Sequence, residues 1–572
     1  MSKLTKNLPI EIPKNVSIDG RGYVRKNVSN CRKNGHPDHE KILIGKVVDP
    51  FNWKEDRRMY PNDRYFSYFN KEREDAESFT LLNSLNIGVY AVVKKLAEES
   101  GVIKILSKIF NKADTNLILD LALYILADEN AEFQHFSDWA RGNAIFSDII
   151  RSSSYISEFL QKIEFAKIET FRYDWAEHSI GRGKIFLSYD STNVNSQAED
   201  AQLVQHGHAK DNNKLPQVNT DYVITQEDGT PVTFMNFPGS VGDVVEAPRM
   251  IEFLQEVSKN DTSLKLDITV VVDRAYPSEE NIKKMDDANV GFLCILPENA
   301  KDKIEERMIS THSKKVKSIV NYVKASDQYA KTFDAEWLGR TRYFHIIWDA
   351  DLEETHRLQL IKKIDEQEQE LKSIVIKHTR LTQKEYDNYS QYLVLDTDKY
   401  VQEKPGRGKS KNLYSVKPVI SKKVPEIDKA LSECGFFVIV TSQKMEAVEA
   451  LNAYTKRDGI EKMFRALKSN MGMDKIGVHS DESIRSKTMI WFISSIFYSM
   501  LFNKVEPLRR ENRTDFTIPS IIRKLNNLRV DKKNTNYYVR SDVFDKQQNQ
   551  ILEALKISLK EIDEDGRRIS CP

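Results

Sequence analysis

The chain has 572 residues, 40% of them hydrophobic and 30% charged, with a net charge of +1. That is enough apolar material for several folded cores, and it excludes a disordered or fibrous chain. The four cysteines, at 31, 294, 434 and 571, form no CxxC pair, which excludes a disulfide framework and a zinc ribbon.

The opening "MSKLTKNLPIEIPKN" has no apolar central region, so no signal peptide is expected and the protein is placed in the cytoplasm. Residues 1–77 read as a small, basic, β-rich module, with strands inside 21–48 that turn at "KNGHPD" and end in "KILIGKVVD". In the same stretch "CRKNGHPDHE" gathers Cys31, His36 and His39, but three ligands at irregular spacing do not make a zinc site. Residues 78–178 turn helical, through "LLNSLNIGVYAVVKKLAEES", "GVIKILSKIF", "TNLILDLALYILADE" and "SEFLQKIEFAKIETFRYDWAEHS". This helical domain is a candidate for DNA binding or a scaffold.

Residues 179–299 change character. "KIFLSYD" is a strand, "TDYVITQEDGTPVTFMNFP" a hairpin turning at "EDGTP", and "DVVEAPRMIEFLQEVSKN" a helix. "LDITVVVD" is the apolar run of a buried strand, "PSEENIKKMDDANV" a helix with acids in its first turn, and "GFLCILP" another strand. A charged interval, 300–434, follows as a strand-containing insertion with a long helix, "LEETHRLQLIKKIDEQEQELKSIV". Residues 435–503 resume with the strand "GFFVIVTS" and then helices. Among these, "TMIWFISSIFYSMLF" (488–502) is too short to span a bilayer and is expected as a buried helix, with no membrane partner. Residues 504–572 form a C-terminal region with a candidate role in pairing or DNA contact.

The near-neutral total hides three basic segments. Residues 1–48 hold ten Lys/Arg against four Asp/Glu, 401–423 seven against one, and 504–533 nine against four. Such a distribution suits a long polyanion gripped at several places, and equally suits solvated loops.

The residues that suggest chemistry lie on the α/β part. Asp190 and Asp273 each close a strand-like run, where sites collect in α/β sheets. On the helix "YTKRDGIEKMFRALK" (454–468), about 100° per residue puts Tyr454, Arg457, Glu461 and Lys468 in one wedge. That wedge borders the apolar strip of Ile460, Met463, Phe464 and Leu467. Taken alone, Arg457 and Glu461 make an ordinary i,i+4 surface pair. Joined by two aspartates the picture differs, because three clustered carboxylates repel one another unless cations share them. Two Mg²⁺ ions would suit them, and such a pair of ions serves phosphodiester chemistry.

The helix reads Y-x2-R-x3-E-x6-K, following Asp190 and Asp273 in chain order. With "YDSTNVNS", "VVVDRAYPSEEN", "IEKMFRALKS" and the opening "GYVRKNVSNCRKN…KILIGKVVD", it resembles the DDE transposases of bacterial insertion sequences that carry the YREK signature. The resemblance implies an α/β multidomain protein whose ribonuclease H-like catalytic core, 179–299 and 435–503, is interrupted by the 300–434 insertion. The 188 residues between Asp273 and Glu461 fit such an insertion. It further implies that Asp190, Asp273 and Glu461 are catalytic and bind two Mg²⁺ ions, with Mn²⁺ as substitute, and that Tyr454, Arg457 and Lys468 hold DNA phosphates. Arg465 and Arg274 are additional candidates for DNA contact. The implied partners are double-stranded DNA, as terminal inverted repeats and target, and a second copy of the chain in a complex at least dimeric. The implied reaction is cut-and-paste transposition through hairpin ends, on nucleoid DNA. Two other readings stay open on the residues: a repressor that binds DNA without cutting, and a ribonuclease H-like nuclease without strand transfer. One departure from the signature is Asp458-Gly459 after Arg457, where members often carry an aromatic residue.

Overall fold

A computed structural model describes residues 9–33, 36–49, 53–54, 57–69, 81–129, 131–180, 183–207, 215–260, 267–274, 276–296, 303–377, 380–402, 411–532, 537–541 and 544–570. The basic tip at 403–410, the boundary expected at 77/78 and the side chains of Cys31, His36 and His39 lie outside the described residues. The chain divides into two compact units: 1–99 with 110–162 and 504–572, and 100–109 with 163–503.

In the first unit, strands Ile10–Glu11, Val16–Ile18, Tyr23–Lys33, His36–Val47 and Arg58–Pro61 form one antiparallel sheet. Ile12, Val24, Ile44, Val47, Met59 and Tyr65 make its core. The front helices of this unit are joined by the C-terminal region. Lys94 and Lys95, on helix Gly88–Ser100, reach Asp565 at 2.5 Å and Glu561 at 3.1 Å on helix Leu559–Ser570. Residues 84–86 lie in a stretch that reads as helix, but they form a strand. Their partner is Arg529–Asp531, more than four hundred residues away, and no local pattern announces that pairing.

The second unit is built on a nine-stranded sheet. Its strands are β1 (Lys184–Asn195), β2 (Gln217–Thr225), β3 (Pro231–Pro238), β4 (Asp267–Val272), β5 (Gly291–Ile295), β6 (Tyr322–Val323), β7 (Gln328–Trp337), β8 (Arg340–Asp349) and β9 (Phe436–Thr441), in the order β6-β7-β8-β9-β5-β4-β1-β2-β3. β1, β2 and β3 are antiparallel neighbours, β4 runs parallel to β1, and β5 runs parallel to β4. β2, β4 and β5 are buried almost end to end, as expected for strands covered on both faces. Its helices include α1 (Phe165–Ser179), α2 (Asp243–Asn260), α3 (Glu279–Asp287), α4 (Ile304–Val316), α5 (Ala350–Ile376), α6 (Ala447–Lys456), α7 (Asp458–Asn470) and α8 (Asp481–Lys504).

Strand periodicity of two sorts the side chains. Leu187, Tyr189, Val270, Val272, Phe292 and Cys294 point to the face covered by α2, α3 and α4. Val271, Leu293, Ile295 and Ile439 point to the opposite face, where Ala447, Ala450, Leu451 and Ala453 of α6 cover them. The 488–502 run lies within α8, buried along most of its length. Among the described residues no helix is long and apolar enough to cross a membrane.

The 300–434 interval divides. Its strands β7 and β8 extend the main sheet through β9. Only the later part forms a separate small sheet, from Leu381–Thr382, Leu393–Gln402 and Lys411–Lys422, packed on α5 through Ile364 and Leu371. "TRYFHIIWDAD" therefore belongs to the main sheet, because Phe344, Ile346 and Ile347 continue both of its apolar faces.

Candidate active site

Asp190 does not end its strand. β1 runs on to Asn195, paired rung by rung with β2, and Asp190 stands opposite Tyr222. The parallel ladder with β4 stops earlier, at Val271 opposite Ser188, and Asp273 directly follows β4. By alternation Asp190 shares the face of Phe186, and Asp273 that of Val271, so both carboxylates emerge on the side covered by α6.

α6 and α7 carry the rest. The wedge helix is two helices meeting at Arg457, whose backbone stays right-handed helical at φ −56° and ψ −30°. The Arg457 N–H donates to Tyr454 O at 3.1 Å and the Ile460 N–H to Arg457 O at 3.0 Å, the tighter three-residue spacing. Ile460, Met463, Phe464 and Leu467 are buried as the wheel requires, with Phe464 edge-on to Tyr222 at 5.7 Å. Asp458 does not compete for Arg457; it pairs with Lys462 at 2.6 Å.

The three carboxylates converge on one guanidinium. Arg457 Nη2 lies 2.7 Å from Glu461 Oε1 and 3.7 Å from Asp273 Oδ1, and Nη1 lies 3.7 Å from Asp190 Oδ2. The Arg457 side chain is only 12% exposed, against 15% for Asp190, 44% for Asp273 and 46% for Glu461. Burial works against its charge, but Asp273, Tyr454, Asp190 and Glu461 outweigh that, and its pKa is raised above the usual guanidinium value. The Tyr454 ring lies beneath the guanidinium at 5.6 Å. Burial raises the Tyr454 pKa, so the phenol stays protonated and able to donate.

Supporting contacts fix the centre from both sides. Asp190 Oδ1 accepts from its neighbour Ser191 N–H at 2.8 Å and from Tyr276 O–H at 3.5 Å, and Asp273 Oδ1 accepts from Arg274 N–H at 2.7 Å. Gln226 Nε2 donates to Ser188 Oγ at 2.9 Å and to Ala453 O at 2.8 Å, tying α6 to the strand that carries Asp190. Tyr276 and Gln226 escaped the sequence reading, although both sit in stretches already singled out, "VVVDRAYPSEEN" and "EDGTP" with its flanks. Lys468 is half-buried on α7 and Arg465 is exposed there.

Three converging carboxylates are the donor chemistry that hard divalent ions take, so the residues fit Mg²⁺ by type. The cation they surround here is Arg457. Among the described residues no three His, Cys, Asp or Glu side chains are drawn close enough to hold an ion.

The family model described as Transposase DDE domain matches residues 181–497, more than half of the 572-residue chain. Among solved structures, the chain is similar to piggyBac transposase in a cryo-EM synaptic complex with hairpin DNA, at 9% identity over 77% of this chain and 76% of that one, with a TM-score of 0.34. A likeness so loose carries no argument. No curated protein matches the chain. On the family match, which spans both aspartates and the glutamate, this chain belongs to the DDE-domain transposases.

Proposed function

We propose that the chain is the transposase of a bacterial insertion sequence, of the group carrying the YREK signature. It binds the terminal inverted repeats of its element, cuts the phosphodiester backbone at both ends and joins the freed 3′-OH ends to target DNA. Excision passes through hairpin ends, in a complex of at least two copies. The catalytic core is ribonuclease H-like, a reading supported by the strand order β3-β2-β1-β4-β5, in which β2 alone runs against the other four.

The observation that carries the proposal is the gathering of Asp190, Asp273 and Glu461 from three distant parts of the chain around one cationic centre. These three carboxylates would hold two Mg²⁺ ions, for which Mn²⁺ substitutes. When bound, such ions activate the attacking oxygen and stabilise the leaving one. The Tyr276 hydroxyl reaches toward the Asp190 carboxylate at 3.5 Å, a long contact that orients it without fixing it. Tyr454, Arg457 and Lys468 supply hydrogen-bond donors for a DNA phosphate, with Arg457 able to grip two phosphate oxygens at once. Arg274 and Arg465 add positive charge to the path of the duplex.

The test is a labelled duplex carrying the element's end, incubated with purified protein and Mg²⁺ or Mn²⁺. Wild type cuts and joins; Glu461→Gln binds the duplex and does neither, a loss of at least about 10²–10³-fold. Cleavage left intact in Glu461→Gln would remove this site from consideration.

A further inference from the structure

We infer that Arg457 is an exchangeable counter-cation: it competes with divalent ions for Asp190, Asp273 and Glu461, and leaves them for a DNA phosphate. The inference rests on the active-site reading above. One guanidinium is shared among three carboxylates, with a hydrogen bond to Glu461 at 2.7 Å and two longer contacts, to Asp190 and Asp273, at 3.7 Å. At 3.7 Å the aspartates attract the guanidinium without fixing it.

Two donors of that guanidinium point to a second partner. Among the described residues Nε and Nη1, both buried, find no hydrogen-bond partner, a condition that costs free energy until an acceptor arrives. A phosphate presents paired oxygens that match either fork of the guanidinium, Nη2 with Nε or Nη2 with Nη1, so it satisfies one of these idle donors while drawing Nη2 from Glu461. The residue also sits where the chain can yield. α6 and α7 meet at Arg457, and Gly459 stands two residues on, with Ile224 Cδ1 at 3.7 Å as the nearest atom a side chain there would meet.

The consequence is an order of assembly. A divalent ion and a guanidinium that need the same carboxylate oxygens repel each other and bind antagonistically. A phosphate that draws Arg457 away therefore tightens ion binding, and by linkage a bound ion releases Arg457 toward DNA. The centre so acquires its ions most strongly once DNA is in place.

The experiment titrates the full-length protein with Mn²⁺ alone, following free Mn²⁺ by electron paramagnetic resonance. Arg457→Gln is expected to bind Mn²⁺ about tenfold more tightly than wild type, within the ordinary range of coupling between sites. Asp190→Asn, introduced into either background, is expected to abolish that binding. Equal or weaker Mn²⁺ affinity in Arg457→Gln, with the Asp190→Asn effect preserved, overturns the exchange while leaving the active site intact. Mn²⁺ binding indifferent to Asp190→Asn and to Glu461→Gln overturns both. Should Arg457→Gln not fold, Arg457→Lys serves, because a compact ammonium cannot span three carboxylates. A smaller tightening is then expected, and none overturns the exchange.

Discussion

Arg342 and Arg457 lie in the same unit, each over an aromatic ring, Phe292 at 5.1 Å and Tyr454 at 5.6 Å, and each is largely withdrawn from solvent. Their carboxylates differ. Arg342, on β8, is 2% exposed and closed against Asp286 of α3, itself 9% exposed, and Arg340 adds a contact to the same carboxylate at 3.5 Å. Arg457 is shared among three acids, two of them nearly half exposed. A closed buried pair resists any change of partner, since removing either member leaves a charge stranded. A shared, partly wet cluster can trade one cation for another at little cost.

The largest expected effect comes from breaking the closed pair. Asp286→Ala strands the Arg342 charge and should lower unfolding free energy by about 3–5 kcal/mol, read by chemical denaturation. Arg457→Gln leaves three carboxylates to repel one another, but Asp273 and Glu461 stay nearly half exposed, so the loss should be smaller than for Asp286→Ala. Similar losses in the two variants would erase the distinction between them.

Acid probes the same strand more gently. His345 on β8 is fully buried between Thr332 and Thr441, at 2.9 and 3.0 Å. The Thr441 hydroxyl donates to Gln443 O at 2.8 Å, so it accepts from His345 Nε2–H, and Nδ1 accepts from Thr332. Burial depresses the His345 pKa to about 4, below the value of about 6.5 in the unfolded chain. The unfolded state therefore takes up the proton first. This contribution to stability is whole above about pH 6.5 and is lost as pH falls toward 4, on the order of 2–3 kcal/mol. His345→Gln should flatten that part of the pH–stability curve; an unchanged slope would locate the acid sensitivity elsewhere.

A smaller effect is expected at the shared centre. Tyr276→Phe keeps the ring packed on Tyr189, centroids 4.9 Å apart, and deletes the hydroxyl that reaches Asp190. Cleavage should fall roughly 10–100-fold, the usual consequence of removing a group that orients a metal ligand, with stability nearly unchanged. A drop in melting temperature without a drop in rate would make Tyr276 a packing residue.

Local pattern made much of this legible. "ITVVVD" could be read as a buried strand ending in Asp273, and the 3.6-residue period correctly put Glu461 and Arg457 on one edge of a buried stripe. Contacts set by distant pairing were not legible. Asp190 looked like a strand end because Ser191, Thr192 and Asn193 are polar, yet their partners on β2 are polar and buried as well, so the strand continues. The three-way sharing of Arg457 depends on β1 and β4 lying side by side and on Gln226 drawing α6 against them, facts of tertiary register that no window of sequence contains.

The remaining departure from the family signature, Asp458-Gly459, gives the smallest and most discriminating test. Gly459 has no positive φ, and a Cβ there would meet Ile224 Cδ1 at 3.7 Å, an ordinary contact. Neither backbone nor space therefore requires glycine. Gly459→Ala should stabilise the start of α7 by about 0.5–1 kcal/mol, through helix propensity and a less flexible unfolded chain. If the junction must yield for Arg457 to change partners, the same substitution should slow cleavage while raising the melting temperature. Arg342, at the closed pair, has no such joint, so a stabilising change beside it should leave the rate alone. Gly459→Ala that gains stability and loses no activity would mean that Arg457 moves by its side chain alone.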